Sequence, residues 1–226
     1  MTDETRRVLQ TALDTVRRDV VRLAAMVEEA LIQATGALLE SDLGAAQDVI
    51  DESQLLSVLS QDIESACHHI LALQSPLATD LRAIVATLRI NGDLERAGTL
   101  MVNVAKATRR LYGTVLPSRV RGLVQMMSDE ARRLIHLAAD AYTDRNSALG
   151  AALEDIDDRL DLLQADFVHA IFDAHGAQEI DLQAAVQLAL VARFFERVGD
   201  HAVNVGRRVG FIVEGHLPAP RDPAIR

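Results

Sequence analysis

The chain contains one sequence pattern twice, once in each half. The pattern Glu-Arg-x-Gly-x-x-x-Val-Asn-Val occupies residues 95–104 and occurs again at 196–205. The agreement continues upstream without a gap, because an Asp-Leu pair starting at Asp80 or Asp181 precedes the glutamate by 15 residues in both copies (95 − 80 and 196 − 181). Gap-free agreement over this length predicts the duplication of one structural unit, so the fold has to accommodate two copies of it.

Apolar residues recur at steps of three and four along most of the chain, which is the spacing of amphipathic helices. Six helices are predicted, at about 8–40, 43–73, 77–111 and 119–142, then a fifth that ends near residue 175, then 178–213. The breaks between them carry capping or helix-breaking residues, namely Ser41, Asp42, Pro76, Gly113, Asp144 or Asn146, and Gly176. Pro76 suits the first turn of the third helix. We predict an all-α fold of two tandem three-helix bundles from an internal duplication.

The predicted domain boundaries follow these breaks. Residues 1–113 form the first three-helix repeat, residues 114–118 form a linker that contains Pro117, and residues 119–215 form the second repeat. The proline-rich end, residues 216–226, is expected to be a disordered tail. Hydrophobic residues make up 49% of the chain and charged residues 25%, which is the composition of a folded globular protein.

The balance of charge restricts the classes of partner. The chain has 23 Lys and Arg residues against 33 Asp and Glu residues, a formal net charge of −10. It therefore has no general attraction to nucleic acid or to anionic lipid, and nucleic acid is not expected as a partner. An acidic surface is compatible with cations or with a basic protein. Because no apolar run has the length of a signal peptide or a membrane span, we expect a cytoplasmic protein.

The second copy of the pattern places acidic and amide side chains on one helix face. Glu196, Asp200 and Asn204 are four residues apart, so they lie one turn above each other on the same side. The opposite side is expected to carry the core stripe, which consists of Val191, Phe194, Val198, Val205 and Val209. Like charges at this spacing repel each other. The face therefore needs arginines, solvent or a cation to offset the repulsion.

Neighbouring helices supply further carboxylates. The fifth helix carries an acidic cluster, mostly on its outer and flanking faces, of Glu154, Asp155, Asp157, Asp158 and Asp161. Oxygen ligands from adjacent helices suit hard cations. The preferred candidate metal site consists of Glu196, Asp200, Asn204, Asp155 and Asp158. A weaker candidate in the first half consists of Glu95, Asn103, Asp48 and Asp51. The alternative is a solvated acidic face that pairs with Arg193, Arg197 and Arg207.

The duplicated pattern also resembles the hallmark of a known family. PhoU proteins carry Glu-Arg-Ile/Val-Gly-Asp-x-Ala-x-Asn-Ile/Val once in each half, and residues 76–82 resemble that family's Pro-x-Ala-x-Asp-Leu-Arg segment. The resemblance covers essentially the whole chain and implies a tandem three-helix-bundle fold. It also implies metal ions or multinuclear clusters on the Glu/Asp-x-x-x-Asp motifs, with iron, manganese, magnesium or zinc as the candidate ions.

The first copy departs from the family pattern at one position. Thr99 stands where the family has aspartate, so Glu95 lacks a partner carboxylate one turn further along the helix. A hydroxyl is a poor substitute for a charged oxygen ligand of a hard cation. We therefore expect a good metal site in the second half and a weak or absent one in the first.

The resemblance further implies a function without catalysis. The chain is expected to be a cytoplasmic adaptor that negatively regulates high-affinity phosphate uptake and phosphate-starvation signalling. Its implied partners are the ATPase subunit of the phosphate ABC transporter, the phosphate-sensing histidine kinase and, in a homodimer, a second copy. It would reach the membrane only indirectly, through those partners.

The alternative is a di-metal carboxylate oxidase or a ferritin-like metal protein. Such a site requires Glu-x-x-His arms on two helices, and the sequence contains none, which favours the adaptor. For His201, which follows Asp200, the alternatives are a metal ligand and a residue on the surface of its helix, and the surface position is favoured.

Overall fold

The computed structural model describes residues 3–74 and 76–216. Within these ranges the chain forms α-helices and no strand. The helices are α1 (Asp3–Glu40), α2 (Leu43–Gln74), α3 (Thr79–Arg110), α4 (Ser118–Asp144), α5 (Ser147–Gly176) and α6 (Leu182–Glu214). The predicted all-α fold is confirmed. The predicted tail, residues 216–226, lies outside the described residues apart from His216.

Capping side chains determine where three of the helices begin. Asp42 caps α2 and Asn146 caps α5, because each side-chain oxygen accepts hydrogen bonds from backbone amides of the first helical turn. Asp181 caps α6 in the same way. This helix therefore begins at Leu182 and not near residue 178 as predicted. Gln178 has a φ of 61°, which is incompatible with a continuous helix at that point.

Two other predicted boundaries also shift. The third helix begins at Thr79, two residues later than predicted, because Ala78 has a left-handed φ of 48°. Pro76 therefore precedes the helix and does not lie in its first turn. In the predicted linker, residues 114–117 are not helical, but Ser118 is already the first residue of α4.

The six helices pack as two bundles that share a core. Helices α1, α2 and α3 pack against one another, and so do α4, α5 and α6. The two bundles are joined by contacts of α3 with α6 and of α1 with α4. Among the described helices, α2 contacts only the first bundle and α5 only the second, so they lie at opposite edges. Buried apolar residues of all six helices form one continuous cluster.

The two helices that carry the duplicated pattern, α3 and α6, run antiparallel. Asp93 lies opposite His201, and Arg110, further along α3, lies opposite Gln187, which is earlier in α6. Nδ1 of His201 is 3.0 Å from Oδ1 of Asp93, and each residue is 8% exposed. The expectation that His201 lies on the surface is wrong. Its side chain is a buried hydrogen-bond link between the two halves.

Within the second bundle, glycines bring two helix backbones into contact. A Cβ atom on Gly150 of α5 would lie 2.7 Å from the carbonyl oxygen of Gly206 of α6. A Cβ atom on Gly206 would lie 2.8 Å from Cδ1 of Leu153 and closer still to the carbonyl oxygen of Gly150. Because backbone atoms cannot move aside as a flexible side chain can, both positions require glycine for this approach.

We expect Gly206→Ala to lower the free energy of unfolding by about 1–3 kcal/mol, because the added methyl group overpacks the contact with α5. The matched control is Gly122→Ala on α4, where an added Cβ meets no atom within 4 Å. The control should raise the free energy of unfolding by about 0.5–1 kcal/mol through helix propensity. Urea denaturation of both variants measures the difference. Equal effects of the two substitutions would contradict the close α5–α6 approach.

Candidate functional site

The glycine of the second motif copy lets α5 lie directly against α6. A Cβ atom on Gly199 would lie 2.8 Å from Cδ2 of Leu160 and closer still to Oδ1 of Asp157. Asp157 is 4% exposed, so its carboxylate is held between the two helices. Burying a carboxylate is unfavourable unless charges or hydrogen-bond partners compensate for the lost hydration. The charged and polar groups around α5 and α6 therefore determine how the buried carboxylate of Asp157 is stabilised.

Glu196 is the second buried carboxylate of this region. It is 8% exposed, and its Oε1 accepts a hydrogen bond from Arg193, one turn earlier on α6. Its Oε2 is buried and has no hydrogen-bond partner among the described residues. Burial is the largest cause that raises the pKa of Glu196 above its ordinary value. The charges of Asp200 and Asp161 raise the pKa further, while the Arg193 guanidinium lowers it.

The burial of Glu196 corrects the predicted orientation of α6. Glu196 was expected on an outer face, opposite the core stripe, but it lies against the rest of the second bundle. Phe195 is fully buried, while Phe194, which was expected in the core, is only half-buried. Because α6 packs against α3, α4 and α5, its buried surface is much wider than a single stripe and includes this carboxylate.

The structure also corrects which acids of α5 point towards α6. Asp155 and Asp158, the predicted ligands, are exposed, whereas Asp157 lies against Gly199. Successive residues of a helix are rotated by about 100°, so Asp155 points about 160° and Asp158 about 100° away from Asp157. Asp161 lies only about 40° from Asp157, and its charge acts on Glu196. Asp157 therefore lies on the face of α5 that packs against α6, and Asp161 lies close to that face.

Arginines compensate part of this negative charge. Arg207 of α6 pairs with Glu154 of α5 at 2.9 Å. Glu130 of α4 is 5% exposed and pairs with Arg133 at 2.9 Å and with Arg159 of α5 at 3.4 Å. Glu130 is absent from the predicted site because it lies outside the duplicated pattern. The expected pairing of acids with arginines occurs for Arg193 with Glu196 and for Arg207 with Glu154. Glu130 adds a pairing of a buried carboxylate with exposed guanidinium groups.

The first half contains the same helix contact with different chemistry. A Cβ atom on Gly98 of α3 would lie 2.5 Å from Cδ1 of Leu56 of α2. The differences 199 − 98 and 157 − 56 both equal 101, so Leu56 occupies the position of Asp157. At this offset the first half has Leu56 for Asp157, Ser53 for Glu154, Ser60 for Asp161 and Thr99 for Asp200. Of the acids in the second site, only Glu196 has an acidic counterpart on α2 or α3, in Glu95.

The predicted acidic counterparts on α2 are not in register with the second site. Asp48 and Asp51 correspond to residues 149 and 152 at the offset of 101, and both are exposed. Thr99 is exposed too, and its hydroxyl donates to the carbonyl oxygen of Glu95 on its own helix. Asn103 and its counterpart Asn204 are half-buried. The structure therefore gathers carboxylates in the second half and not in the first.

The acids of the second half do not form a ready-made metal centre. In residues 3–74 and 76–216, no group of three or more His, Cys, Asp and Glu side chains has an arrangement that could hold a metal ion. The feature that fits a cation is the buried, unpartnered Oε2 of Glu196 beside Asp200 and Asp161. Part of the same charge is already compensated by Arg193.

Comparison with known proteins agrees with this architecture. The model of the PhoU domain matches residues 20–108 and again residues 124–209. The chain is 40% identical over 190 residues to a Mycobacterium tuberculosis protein named phosphate-specific transport system accessory protein PhoU homolog 1, covering 84% of this chain and 85% of that protein.

Solved structures show the same fold. PhoU from Pseudomonas aeruginosa has a TM-score of 0.85 and 25% identity, covering 92% of this chain and 99% of that one. The phosphate transport system regulatory protein PhoU from Streptococcus pneumoniae has a TM-score of 0.86 and 22% identity, covering 94% and 100%.

The six helices and the repeated motif place the chain among duplicated helical-bundle proteins that carry one motif copy in each half. The chain belongs to the PhoU family. None of the helices described here is both long and apolar enough to cross a membrane.

We expect Glu196 to make stability depend on pH in a specific direction. The pKa of Glu196 is raised above 4.5 in the folded state. Its contribution to the free energy of unfolding is therefore fully present below the pKa of the unfolded chain, and it is lost as pH rises through the pKa of the folded protein. Glu196→Gln removes this titration. The free energy of unfolding of the variant relative to wild type should therefore increase with pH across that window.

Urea denaturation of both proteins at a series of pH values measures this difference. Carbon NMR of the Glu196 carboxyl, assigned by its absence in Glu196→Gln, should show a midpoint above the ordinary value of 4.5. A stability difference that falls as pH rises would contradict the assignment.

Proposed function

We propose that the chain is a regulatory accessory protein of phosphate uptake and not an enzyme. The observation that carries this proposal is the match of the PhoU domain in both halves, together with 40% identity to a protein named as a phosphate-specific transport system accessory protein. The solved structure from Streptococcus pneumoniae, similar in fold, is named as a phosphate transport system regulatory protein. A strongly acidic body of six packed helices is suited to protein contacts.

The proposed partners are the ATPase subunit of the phosphate ABC transporter and the phosphate-sensing histidine kinase. Through the first the chain would restrain uptake, and through the second it would keep the starvation response off when phosphate is sufficient. The chain acts in the cytoplasm as a homodimer and reaches the membrane only through these partners. The net charge of −10 supports basic partner surfaces.

We also propose that the second half binds a hard divalent or ferric cation. Glu196 would hold it through the buried Oε2, with the carboxylates of Asp200 and Asp161 nearby. A bound cation would neutralise these charges and connect α5 with α6. The first half, with Leu56, Ser60 and Thr99 at the equivalent positions, would bind no cation of this kind.

The regulatory proposal is tested by co-purification. The tagged chain, expressed at its natural level, should recover the transporter ATPase and the sensor kinase from cells grown at high phosphate, and a strain without the chain should take up labelled phosphate faster under that condition. A tag-only strain is the control. Recovery of neither partner at high or low phosphate would contradict the proposal.

The cation proposal is tested by titrating metal-free protein with Mn²⁺, Fe²⁺, Zn²⁺ or Mg²⁺ in a calorimeter. In metal sites generally, loss of a residue that only hydrogen-bonds a ligand weakens metal affinity by about 10–100-fold. Because Glu196 is itself a proposed ligand, Glu196→Gln should weaken binding at least tenfold. Glu95→Gln, the matched change in the first half, should leave the affinity unchanged. Equal loss in the two variants, or two equivalent sites in the wild type, would contradict a site confined to the second half.

A further inference from the structure

The first bundle contains an apolar cavity at the place where the second bundle has its buried acids. The cavity has a volume of about 100 Å³ and opens to the surface between α1, α2 and α3. Gly98 of the first motif copy lies in its wall, and the apolar lining includes Met26, Leu56 and Val102. The leucine side chain that packs on Gly98 therefore also forms one wall of the opening.

The fold itself does not require this lining to be apolar. In the second bundle, Asp157 replaces Leu56 and Glu154 replaces Ser53 on an equivalent backbone, 101 residues later. Helix α1 ends at Glu40 and α4 at Asp144, an offset of 144 − 40 = 104. At that offset the buried Glu130 takes the place of Met26. The second bundle also has a cavity of about 100 Å³ at overlapping positions, lined by Gly150, Glu154 and Val203 together with Arg207. The two copies have therefore diverged in side-chain chemistry, because the cavity of the first bundle has Val49, Ser53 and Val102 at these positions and no cation among its described lining residues.

Charged groups around the opening have one sign. Of the described residues that line the cavity, Glu29 and Glu52 are carboxylates and none is Lys, Arg or His. Both are exposed, so they remain available to a partner. A wider cleft between α1 and α4 shares Glu29 and continues the negative surface through Glu28 and Asp140, which flank His136.

We propose that this cavity is a docking site for an aliphatic side chain of a protein partner, flanked in the partner by Lys or Arg. An apolar cavity of about 150 Å³ is known to hold benzene, so the smaller opening suits a leucine-sized or methionine-sized group. The exposed carboxylates attract flanking cations. At this opening, where the exposed charges are carboxylates, a second copy of this chain with its net charge of −10 and an anionic membrane are electrostatically disfavoured. This docking site rests on the proposed accessory function in one respect, because it requires that the chain binds a protein partner.

The chemistry of the cavity can be tested without the partner. Isopentylammonium carries the proposed aliphatic group next to a cation, and 3-methylbutanoate carries the same group next to an anion. In NMR titrations of the full chain, isopentylammonium should perturb the signals of Ala30, Gly98 and Val102 saturably, with an affinity on the order of millimolar for so small a ligand. The anion should produce no saturable change. Equal binding of both ligands, or of neither, would overturn the proposed recognition.

Ala30→Leu tests the apolar part of the site, because residue 30 lines the cavity and a leucine would fill it. The matched control is Ala151→Leu, beside a cavity of about 100 Å³ between α5 and α6 of the second half. Thermal unfolding verifies that both variants fold. Ala30→Leu should weaken isopentylammonium binding at least tenfold, and Ala151→Leu should leave it unchanged.

The double substitution Glu29→Gln with Glu52→Gln tests the charged part and remains informative if Ala30→Leu fails to fold. It should weaken isopentylammonium binding by about threefold to tenfold, as expected for exposed charges. The control, Asp62→Asn with Glu64→Gln, changes the net charge equally at exposed positions of α2 and should have no effect. Equal weakening by both double variants would overturn a local role for Glu29 and Glu52.

The same variants separate this inference from the proposed function. If the transporter ATPase or the sensor kinase co-purifies with the wild type and with the control variants but not with Ala30→Leu, the docking site is supported. Equal recovery by Ala30→Leu would overturn it and leave the regulatory function intact. Recovery of neither partner by the wild type, with isopentylammonium still bound in the cavity, would contradict the function while supporting the site.

Discussion

The antiparallel packing of α3 against α6 holds the two halves of the molecule together. It joins the two copies of the duplicated unit, and together with the α1–α4 contact it creates one core from two bundles. The buried Asp93–His201 hydrogen bond lies within this contact. Because an unpaired polar group at such a position is unfavourable, the pair also favours one register of α3 on α6. The outer helices, α2 and α5, then lie against fixed motif helices.

On this duplicated backbone the two halves carry different side chains around the motif glycine. The contact of the motif glycine with the neighbouring helix is retained in both, as Gly98 with Leu56 and Gly199 with Asp157. In the second half the surrounding side chains are carboxylates compensated by arginines, and in the first they are apolar or carry hydroxyl groups. The burial that raises the pKa of Glu196 follows from the same packing that encloses apolar side chains elsewhere. The two halves therefore share one backbone arrangement but differ in the side chains around the motif glycine.

Sequence reasoning found the motif acids but assigned their surroundings incorrectly. The repeat identifies Glu196, and the four-residue spacing adds Asp200. A single amphipathic stripe for α6 nevertheless predicts an outer face for Glu196. That helix packs against three others, so its buried surface is wider than one stripe. The same assumption selected Asp155 and Asp158 on α5, whereas Asp157 and Asp161 point towards α6. Glu130 carried no sequence signal, because its role depends on Arg159 of another helix.

The six helices, their duplication and the family follow from the amino-acid sequence alone, because helical periodicity, capping residues and a repeated motif are local properties. The sequence also determines that Thr99 replaces an acid in the first half. The identity of the buried carboxylates, the arginines that compensate them and the position of the apolar opening all depend on how the helices pack together. Burial and charge compensation depend on the rotation of each helix relative to several neighbours, and no single helix contains that information.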